Sequence, residues 1–377
     1  MKTAEQVNIH RTNPPSWFKE ADFGIFIHWG PSSIPAYAPV DVDDYGTLMR
    51  EKAPEYMFMN IPYADWYQNS VRIQGSPAQC WHHKHYGKKP YYEFGLEFKE
   101  RAKNADAEAW ADLFARAKAK YVVVVTKHHD GFVLYDTKVT NPHQPGYHLE
   151  FDHVGALADA CRRRGMRFGV YYSSLLDWTF TQKPIQSSAD LFLQTDTSRQ
   201  YKEYCYGHWI ELIDRYKPDM MWGDIGYPAD ERLEGLFRYY YSQVPEGMVN
   251  DRFGQIPSWL HNFIGRALIN SQAKKILHDR PGELLDTKYY DFRTLEYTTD
   301  WRETDIWFEM CRGMDKSFGF NQLSRPQDYI TTQQILDIIA EIYPKKGRLL
   351  LNVGPDSYGT IPEYQIKILE ELEVHRV

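Results

Sequence analysis

One short segment, YVVVVTKHHDGF at residues 121–132, constrains the fold of this 377-residue chain more than any other. A run of consecutive valines is fully buried only where both faces of a strand are covered, because successive side chains of a strand point to opposite faces. Such strands are typical of parallel sheets that carry helices on their faces. The segment therefore predicts an α/β protein, with His128 and His129 at the carboxyl end of a buried strand.

Strand-like segments of this kind recur along the chain and alternate with amphipathic helices. Further strand-like segments lie at 23–30, 166–174, 218–228, 247–253 and 348–355. Helix-like segments, with apolar residues three and four positions apart, lie at 104–120, 151–165, 199–216, 230–243 and around 335–342. Repeated strand–helix units predict a parallel sheet. No GxGxxG or GxxxxGK[ST] motif follows a strand, which argues against a dinucleotide or P-loop site.

Polar residues follow directly after several of these strands, and this pattern distinguishes two sheet architectures. They are His28, His128, His129, Tyr171, Asp224 and Arg252. In a (β/α) barrel all strand ends meet at one mouth, whereas in an open sheet only the strands beside a switch point converge. Polar endings on so many strands favour a (β/α)8-like TIM barrel. We expect a single domain over residues 1–377, with loop insertions near 31–100 and 254–290.

Composition and charge argue against several classes of function. The net charge is −7 at pH 7 and Lys and Arg are scattered, so no basic surface for nucleic acid is predicted. No apolar run reaches the roughly 18 residues that a membrane span requires. The four cysteines have no zinc-site spacing, and the first residues lack the apolar core of a signal peptide. We expect a cytoplasmic protein without metal or cofactor, although removal of a signal peptide would leave the same sequence.

Two carboxylates are candidates for chemistry. Asp224 follows the apolar run MMWG, and Arg252 ends the next strand. A guanidinium near Asp224 would lower the pKa of that carboxyl group and keep it ionised, as a nucleophile requires. Glu296 lies between Leu295 and Tyr297, surroundings that would raise its pKa toward that of a general acid. A pair of this kind hydrolyses glycosides, although a helix cap or an ion pair would also explain a carboxylate after a strand. The 15% of aromatic residues would suit stacking on sugar rings, although an aromatic-rich core would also explain it.

The histidines after the strands admit two interpretations. His28, His128 and His129 could bind a metal ion, with Asp130 adding a carboxylate, as in metal-dependent hydrolases built on barrels. They could instead form hydrogen bonds with sugar hydroxyls. Because neighbouring residues of a strand point to opposite faces, we expect that His128 and His129 do not reach one ion together.

A series of sequence blocks occurs in an order that is characteristic of one enzyme family. The blocks are WFKEADFGIFIHWGPSSIPAY, ADWY, NADAEAWADLFARAKAKYVVVVTKHHDGF, GVYYS, MMWGDIGYP, NDRFG, DFRTLEYTT, CRGMDKSFGFN and LLLNVGPDSYGTIP. From Trp17 onward the chain resembles the α-L-fucosidases of glycoside hydrolase family 29. The resemblance implies a catalytic (β/α) barrel that removes terminal α-L-fucose from glycosides by double displacement, with retention of configuration.

The resemblance also implies roles for individual residues. Asp224 in WGDIG matches the nucleophile, and Glu296 in TLEY matches the acid/base. The residues that match sugar-binding positions are His28, Asp65, Trp66, His128, His129, Tyr171, Trp222, Arg252 and Phe318. The implied substrate is a fucosylated glycan or glycoside, and no nucleic acid, membrane, metal or cofactor is implied. A catalytically silent fucose-binding protein on the same barrel is the alternative.

The chain departs from the family pattern in three features. Asp65 precedes Trp66 where the family often has Glu, so we expect a looser or water-mediated contact with a sugar hydroxyl. Tyr135 follows Leu134 where Trp is usual. Members commonly continue into a C-terminal β-sandwich, whereas this chain ends soon after LLLNVGP. A compact single-domain member or a partner chain would account for that end, and we expect self-association.

Overall fold

Eight parallel strands form one curled sheet. The computed structural model describes residues 13–279, 287, 289–300 and 305–376. The strands are β1 (Phe23–Ile27), β2 (Tyr121–Lys127), β3 (Arg167–Tyr172), β4 (Met220–Gly223), β5 (Met248–Val249), β6 (Arg293–Glu296), β7 (Phe308–Gly313) and β8 (Gly347–Val353). Their order in the sheet is β5-β4-β3-β2-β1-β8-β7-β6, and every neighbouring pair is parallel. The predicted α/β class with a parallel sheet is confirmed.

Helices connect the strands, and several of them fill the segment between β1 and β2. The helices are α1 (Ser16–Glu20), α2 (Tyr45–Glu51), α3 (Pro54–Met59), α4 (Tyr67–Arg72), α5 (Pro77–Tyr86), α6 (Tyr91–Arg101), α7 (Ala107–Arg116), α8 (His153–Arg163), α9 (Ser188–Leu193), α10 (Arg199–Tyr216), α11 (Leu233–Gln243), α12 (Phe263–Asp279), α13 (Thr332–Ile342) and α14 (Glu363–His375). The segment 31–100 thus contains α2 to α5 and most of α6. Among the described helices, none is both long and apolar enough to cross a membrane.

The strand β2 is buried on both faces, as its valines predict. Val122 and Val124 pack in the outer layer with residues of α7 and α8. Val123 and Val125 lie on the inner side of the curl, in the same apolar cluster as Tyr171. Side chains of the sheet therefore alternate between a helix-covered layer and an inner layer that leads to the strand ends.

The strand β5 is shorter than the predicted segment 247–253: it ends at Val249, and the side chain of Asn250 then pairs with the backbone of Gly223. Asn250 accepts a hydrogen bond from the backbone N–H of Gly223 at 2.9 Å and donates to the carbonyl of the same residue at 3.0 Å. Beyond it, the N–H of Asp291 donates to the carbonyl of Val249 at 2.8 Å, and Asn250 and Phe292 form an isolated parallel bridge. The curl therefore brings the end of β5 close to the start of β6.

Candidate active site

The carboxyl ends of the strands bring most of the predicted site residues to one cavity. Its lining consists of Phe26, His28, Tyr63, Asp65, Trp66, His128, Tyr171, Trp222, Asp224, Glu296, Cys311 and Phe318. Arg252 lines an adjoining cavity that shares Asp224 and Glu296 with the first. His129, 1% exposed, adjoins the lining, with its ring 4.1 Å from that of His128 and its Nε2 3.4 Å from Oδ2 of Asp224. All the predicted residues thus converge, although they come from distant segments of the chain.

The Asp224 carboxyl group directly follows β4 and is oriented by the phenol of Tyr171. The phenolic O–H of Tyr171 donates to Oδ2 of Asp224 at 2.7 Å, and Nε2 of His129 lies 3.4 Å from the same oxygen. The Trp222 ring stacks on that of Tyr171 with 5.4 Å between centroids, which restricts the phenol. Burial raises the pKa of Asp224, while the Tyr171 hydrogen bond and the charge of Arg252 oppose that rise. Arg252 acts in the expected direction, but the net direction differs from the sequence expectation because burial dominates.

The Glu296 carboxyl group ends β6 and receives one hydrogen bond. The phenol of Tyr63 donates to Oε1 of Glu296 at 2.8 Å. Burial raises the pKa of Glu296 to about 7; the nearby charge of Asp224 adds to the rise, and Arg252 and Tyr63 oppose it. The upward direction expected from the sequence agrees with this pKa. Tyr63 was not among the predicted residues, and its only signal is its position two residues before Asp65.

The backbone after each of the two carboxylates adopts an unusual conformation. Ile225, which follows Asp224, has φ of 61°, and Tyr297, which follows Glu296, has φ of 52°. Non-glycine residues rarely adopt the left-handed region, and a β-branched isoleucine is especially disfavoured there. Strain of this kind, of order 1–3 kcal/mol per residue, concentrates at functional sites. The two carboxylates therefore share a local backbone signature as well as a cavity.

The Asp65 carboxyl group lines the cavity from the segment between β1 and β2. Its Oδ1 accepts a hydrogen bond from the N–H of Gly319 at 2.8 Å, and its Oδ2 lies 3.4 Å from Nε2 of His128. Burial raises the pKa of Asp65 to about 7, against two backbone hydrogen bonds. Phe318 packs against the ring of His28, with 4.8 Å between centroids, and places an apolar face in the cavity. The lining therefore combines carboxyl groups, imidazoles and aromatic faces.

His128 and His129 lie close together, which corrects the expectation that strand alternation separates them. The strand β2 ends at Lys127, and its pairing with β3 shifts register between Val125 and Lys127. Both histidines therefore lie in the turn after the strand, where alternation no longer applies.

Two groups of side chains among the described residues could hold a metal ion, with ligand atoms within 4.8 Å of one another. They are His28, Asp65 and His128, and His128, His129 and Asp224. The alternative set with Asp130 is not among these groups; that carboxylate accepts hydrogen bonds from the Tyr91 hydroxyl at 2.9 Å and the Phe132 N–H at 3.1 Å. Imidazole nitrogens and carboxylate oxygens would suit a divalent cation such as zinc.

A further buried carboxyl group, that of Glu309, holds a side chain of the cavity lining in place. Glu309 on β7 accepts hydrogen bonds from Nε1 of Trp222 at 2.8 Å and from the hydroxyl of Tyr121 at 2.6 Å. It therefore fixes the indole that stacks on Tyr171. Glu309 was not among the predicted residues, although an acidic residue among Phe308, Met310 and Cys311 is a signal of a buried carboxyl group.

Known proteins match the chain over nearly its whole length. The sequence model of the Alpha-L-fucosidase family matches residues 2–374. Tissue alpha-L-fucosidase of Homo sapiens is 30% identical over 367 residues, which cover 94% of this chain and 66% of that protein. The chain thus spans about two thirds of the length of this curated relative.

Solved structures of fucosidases also match the chain over nearly its whole length. The alpha-fucosidase of Thermotoga maritima in complex with fucose is 37% identical with a TM-score of 0.78, covering 97% of this chain and 74% of that one. The same protein in complex with a mechanism-based inhibitor has a TM-score of 0.79 at 37% identity, covering 99% and 76% of the two chains. The chain therefore belongs to the α-L-fucosidase family, glycoside hydrolase family 29.

Proposed function

We propose that this protein is a retaining exo-α-L-fucosidase that hydrolyses terminal α-L-fucose from glycans or glycosides. One observation carries the proposal: two half-buried carboxyl groups, Asp224 and Glu296, line the same cavity. Asp224 accepts a hydrogen bond from Tyr171, whereas burial and the charge of Asp224 bring the pKa of Glu296 to about 7. A carboxylate that accepts a hydrogen bond suits nucleophilic attack, and a carboxyl group with a raised pKa suits delivery of a proton.

In the first step a carboxylate oxygen of Asp224 attacks the anomeric carbon as the glycosidic C–O bond breaks. The proton of Glu296 moves to the departing oxygen, so the aglycone leaves as a neutral alcohol. In the second step Glu296, now ionised, takes a proton from water, and the water oxygen displaces Asp224 from the anomeric carbon. Two inversions release α-L-fucose, and carboxyl groups about 5–5.5 Å apart suit this sequence.

The remaining residues of the cavity would bind the sugar. The proposed contacts to its hydroxyl groups come from His28, Asp65, Trp66, His128, His129, Tyr171, Trp222 and Arg252. Phe318 offers an apolar face that would suit the C5 methyl group of fucose.

We also propose that the sheet closes into a (β/α)8-like barrel, which the bridge between Asn250 and Phe292 supports. Residues 1–377 would then form a single catalytic domain with insertions near 31–100 and 254–290. Self-association and a cytoplasmic location stay predictions.

Turnover of an aryl α-L-fucoside tests the proposed activity. The wild-type protein should release the phenol, and Glu296→Gln should lower kcat by roughly 10² to 10⁴. The loss of kcat should be smaller for aryl fucosides whose phenol has a low pKa, because such a phenolate leaves without receiving a proton. A protein that binds fucose and releases no phenol would be a silent binding protein and would refute the proposal.

A metal-dependent hydrolase is a second candidate, because two groups of ligands lie close enough to share an ion. Dialysis against EDTA separates the two functions. The fucosidase proposal predicts unchanged turnover after dialysis. Loss of activity that Zn²⁺ restores would favour the metal-dependent reaction.

A further inference from the structure

The hydrogen bonds of Ser173 determine which ring nitrogen of His129 carries the proton. Nδ1 of His129 lies 2.6 Å from Oγ of Ser173, and this hydroxyl donates to the carbonyl of Leu176 at 2.8 Å. A serine hydroxyl has one hydrogen, so toward the imidazole it can only accept. His129 must therefore donate from Nδ1, and its Nε2 carries a lone pair.

Asn352, on β8, determines in the same way which ring nitrogen of His28 carries the proton. The amide nitrogen of Asn352 donates to the carbonyl of Phe318 at 2.6 Å, which fixes the orientation of the amide. Its Oδ1 consequently faces Nδ1 of His28 at 2.7 Å and accepts the proton of that nitrogen. His28 is therefore also an Nδ1–H tautomer with an Nε2 lone pair.

Both imidazoles are buried and remain neutral. Burial lowers the pKa of His28 to about 3, against the hydrogen bond of Asn352, and burial lowers the pKa of His129, with Lys127 adding to the effect. Within the described part of the chain, Nε2 of His129 is buried without a hydrogen-bond partner. The atom close to it, Oδ2 of Asp224 at 3.4 Å, is an acceptor when ionised. A buried acceptor without a donor is destabilising, and a hydroxyl group of a ligand would supply that donor.

We propose that Ser173 and Asn352 are positioning residues that fix His129 and His28 as Nδ1–H tautomers, so that both present Nε2 as an acceptor to donating hydroxyl groups of the substrate. The inference rests on the proposed function only for the identity of the ligand. The tautomers themselves belong to the free protein. The site therefore selects, at these two positions, ligand groups that donate a hydrogen bond over groups that only accept one.

The tautomers are measured directly by long-range ¹H–¹⁵N correlation NMR of the free, ¹⁵N-histidine-labelled protein. His28→Gln and His129→Gln assign the signals by their disappearance. In the wild type, the imidazoles of His28 and His129 should both be protonated at Nδ1 and unprotonated at Nε2. Ser173→Ala should give His129 a mixture of tautomers, Ser173→Thr should restore Nδ1–H, and Asn352→Leu should change His28 alone. The neighbouring Ser174, whose hydroxyl accepts from Trp209 at 2.9 Å, provides the matched control Ser174→Ala, in which both rings should be unchanged.

An Nε2–H tautomer in the wild type would overturn the proposal, as would an unchanged His129 in folded Ser173→Ala. If one variant does not fold, the wild-type spectrum and the other variant still decide the question. None of these spectra depends on turnover, so failure of the fucosidase proposal would appear separately, as missing phenol release.

Deoxyfluoro analogues of the fucoside test the consequence for selectivity, because fluorine accepts weakly and does not donate. Replacing the hydroxyl that contacts Nε2 of either histidine should raise KM roughly tenfold or more in the wild type. In Ser173→Ala, KM should rise less for the analogue that is fluorinated at the hydroxyl contacting His129. The imidazole of His129 can then carry its proton on Nε2, which faces the fluorine. Equal penalties in wild type and Ser173→Ala at every ring position would contradict the proposal.

Discussion

The phenol of Tyr63 donates a hydrogen bond to Oε1 of Glu296 over 2.8 Å and connects the segment between β1 and β2 to the end of β6. Tyr63 directly precedes the 3-10 helix Ala64–Trp66, which carries Asp65 into the same cavity. This bond is made to a carboxyl group with a pKa of about 7 and lowers that pKa, so it favours the ionised form of Glu296. The segment 31–100 is therefore part of the site.

The first prediction concerns Tyr63→Phe. The hydrogen bond stabilises the ionised form of Glu296 and lowers its pKa, so its removal should raise that pKa. The alkaline limb of kcat/KM, which falls as Glu296 loses its proton near pH 7, should move to higher pH. Tyr67→Phe removes the buried hydroxyl that lies 2.9 Å from Nδ1 of His82, outside the cavity, and should leave the limb in place. A limb that moves equally in both variants, or in neither, would contradict this account.

The second prediction concerns Arg252, whose charge lowers the pKa of both Asp224 and Glu296. Arg252→Met removes that charge, so both limbs of the kcat/KM profile should shift to higher pH. Arg252→Lys retains a positive charge and should keep both limbs near their wild-type positions, even if KM rises through the loss of the planar guanidinium. Thermal unfolding verifies that each variant is folded. A profile of Arg252→Met that superimposes on the wild type would show that this charge does not control the pair.

The third prediction concerns stability and Glu309. Burial raises the pKa of Glu309 from 4.5 to about 7, against the hydrogen bonds from Tyr121 and Trp222. The folded state therefore binds this proton more tightly than the unfolded state. The stabilisation is fully present below about pH 4.5 and is lost as the pH rises through 7. For the wild type, this group should lower the free energy of unfolding by up to about 1.4 kcal/mol per pH unit in that window.

Glu309→Gln cannot ionise, so its urea-unfolding free energy should lack that part of the pH dependence. Other buried carboxyl groups, such as Asp65, contribute with the same sign in both proteins, so the informative quantity is the difference between variant and wild type. That difference should grow in favour of the variant from about pH 5 to about pH 8. The exposed Glu341→Gln serves as the control. Parallel curves for Glu309→Gln and the wild type would refute the assignment.

The sequence predicted those parts of the fold that regular patterns determine. The valines of β2 and the apolar stripes of α7 and α8 led to a parallel sheet covered by helices, because burial on two faces leaves few other arrangements. β7 was missed, since Glu309 and Arg312 interrupt its apolar pattern. β5 was overestimated, because the pairing of the Asn250 side chain with Gly223 is a tertiary interaction that no local pattern reveals.

The site was predictable to the extent that its residues end strands or match family motifs. The residues that orient them were not. Tyr63, Ser173 and Asn352 act through single hydrogen bonds between segments far apart in the chain, and residues of these types are common in any protein. The relation of His128 to His129 was mispredicted, because the exact end of β2 decides whether strand alternation applies.

The central claim is that Asp224 forms a covalent bond to the sugar, and mass spectrometry tests it most directly. In a 2-deoxy-2-fluoro-α-L-fucosyl fluoride, the C2 fluorine slows both steps while the anomeric fluoride leaves readily, so the intermediate should accumulate. The account predicts a protein heavier by one 2-fluorofucosyl group, with the label on the peptide that contains Asp224, and no label in Asp224→Ala. A label on another residue, or turnover that yields β-L-fucose first without any labelled protein, would contradict it.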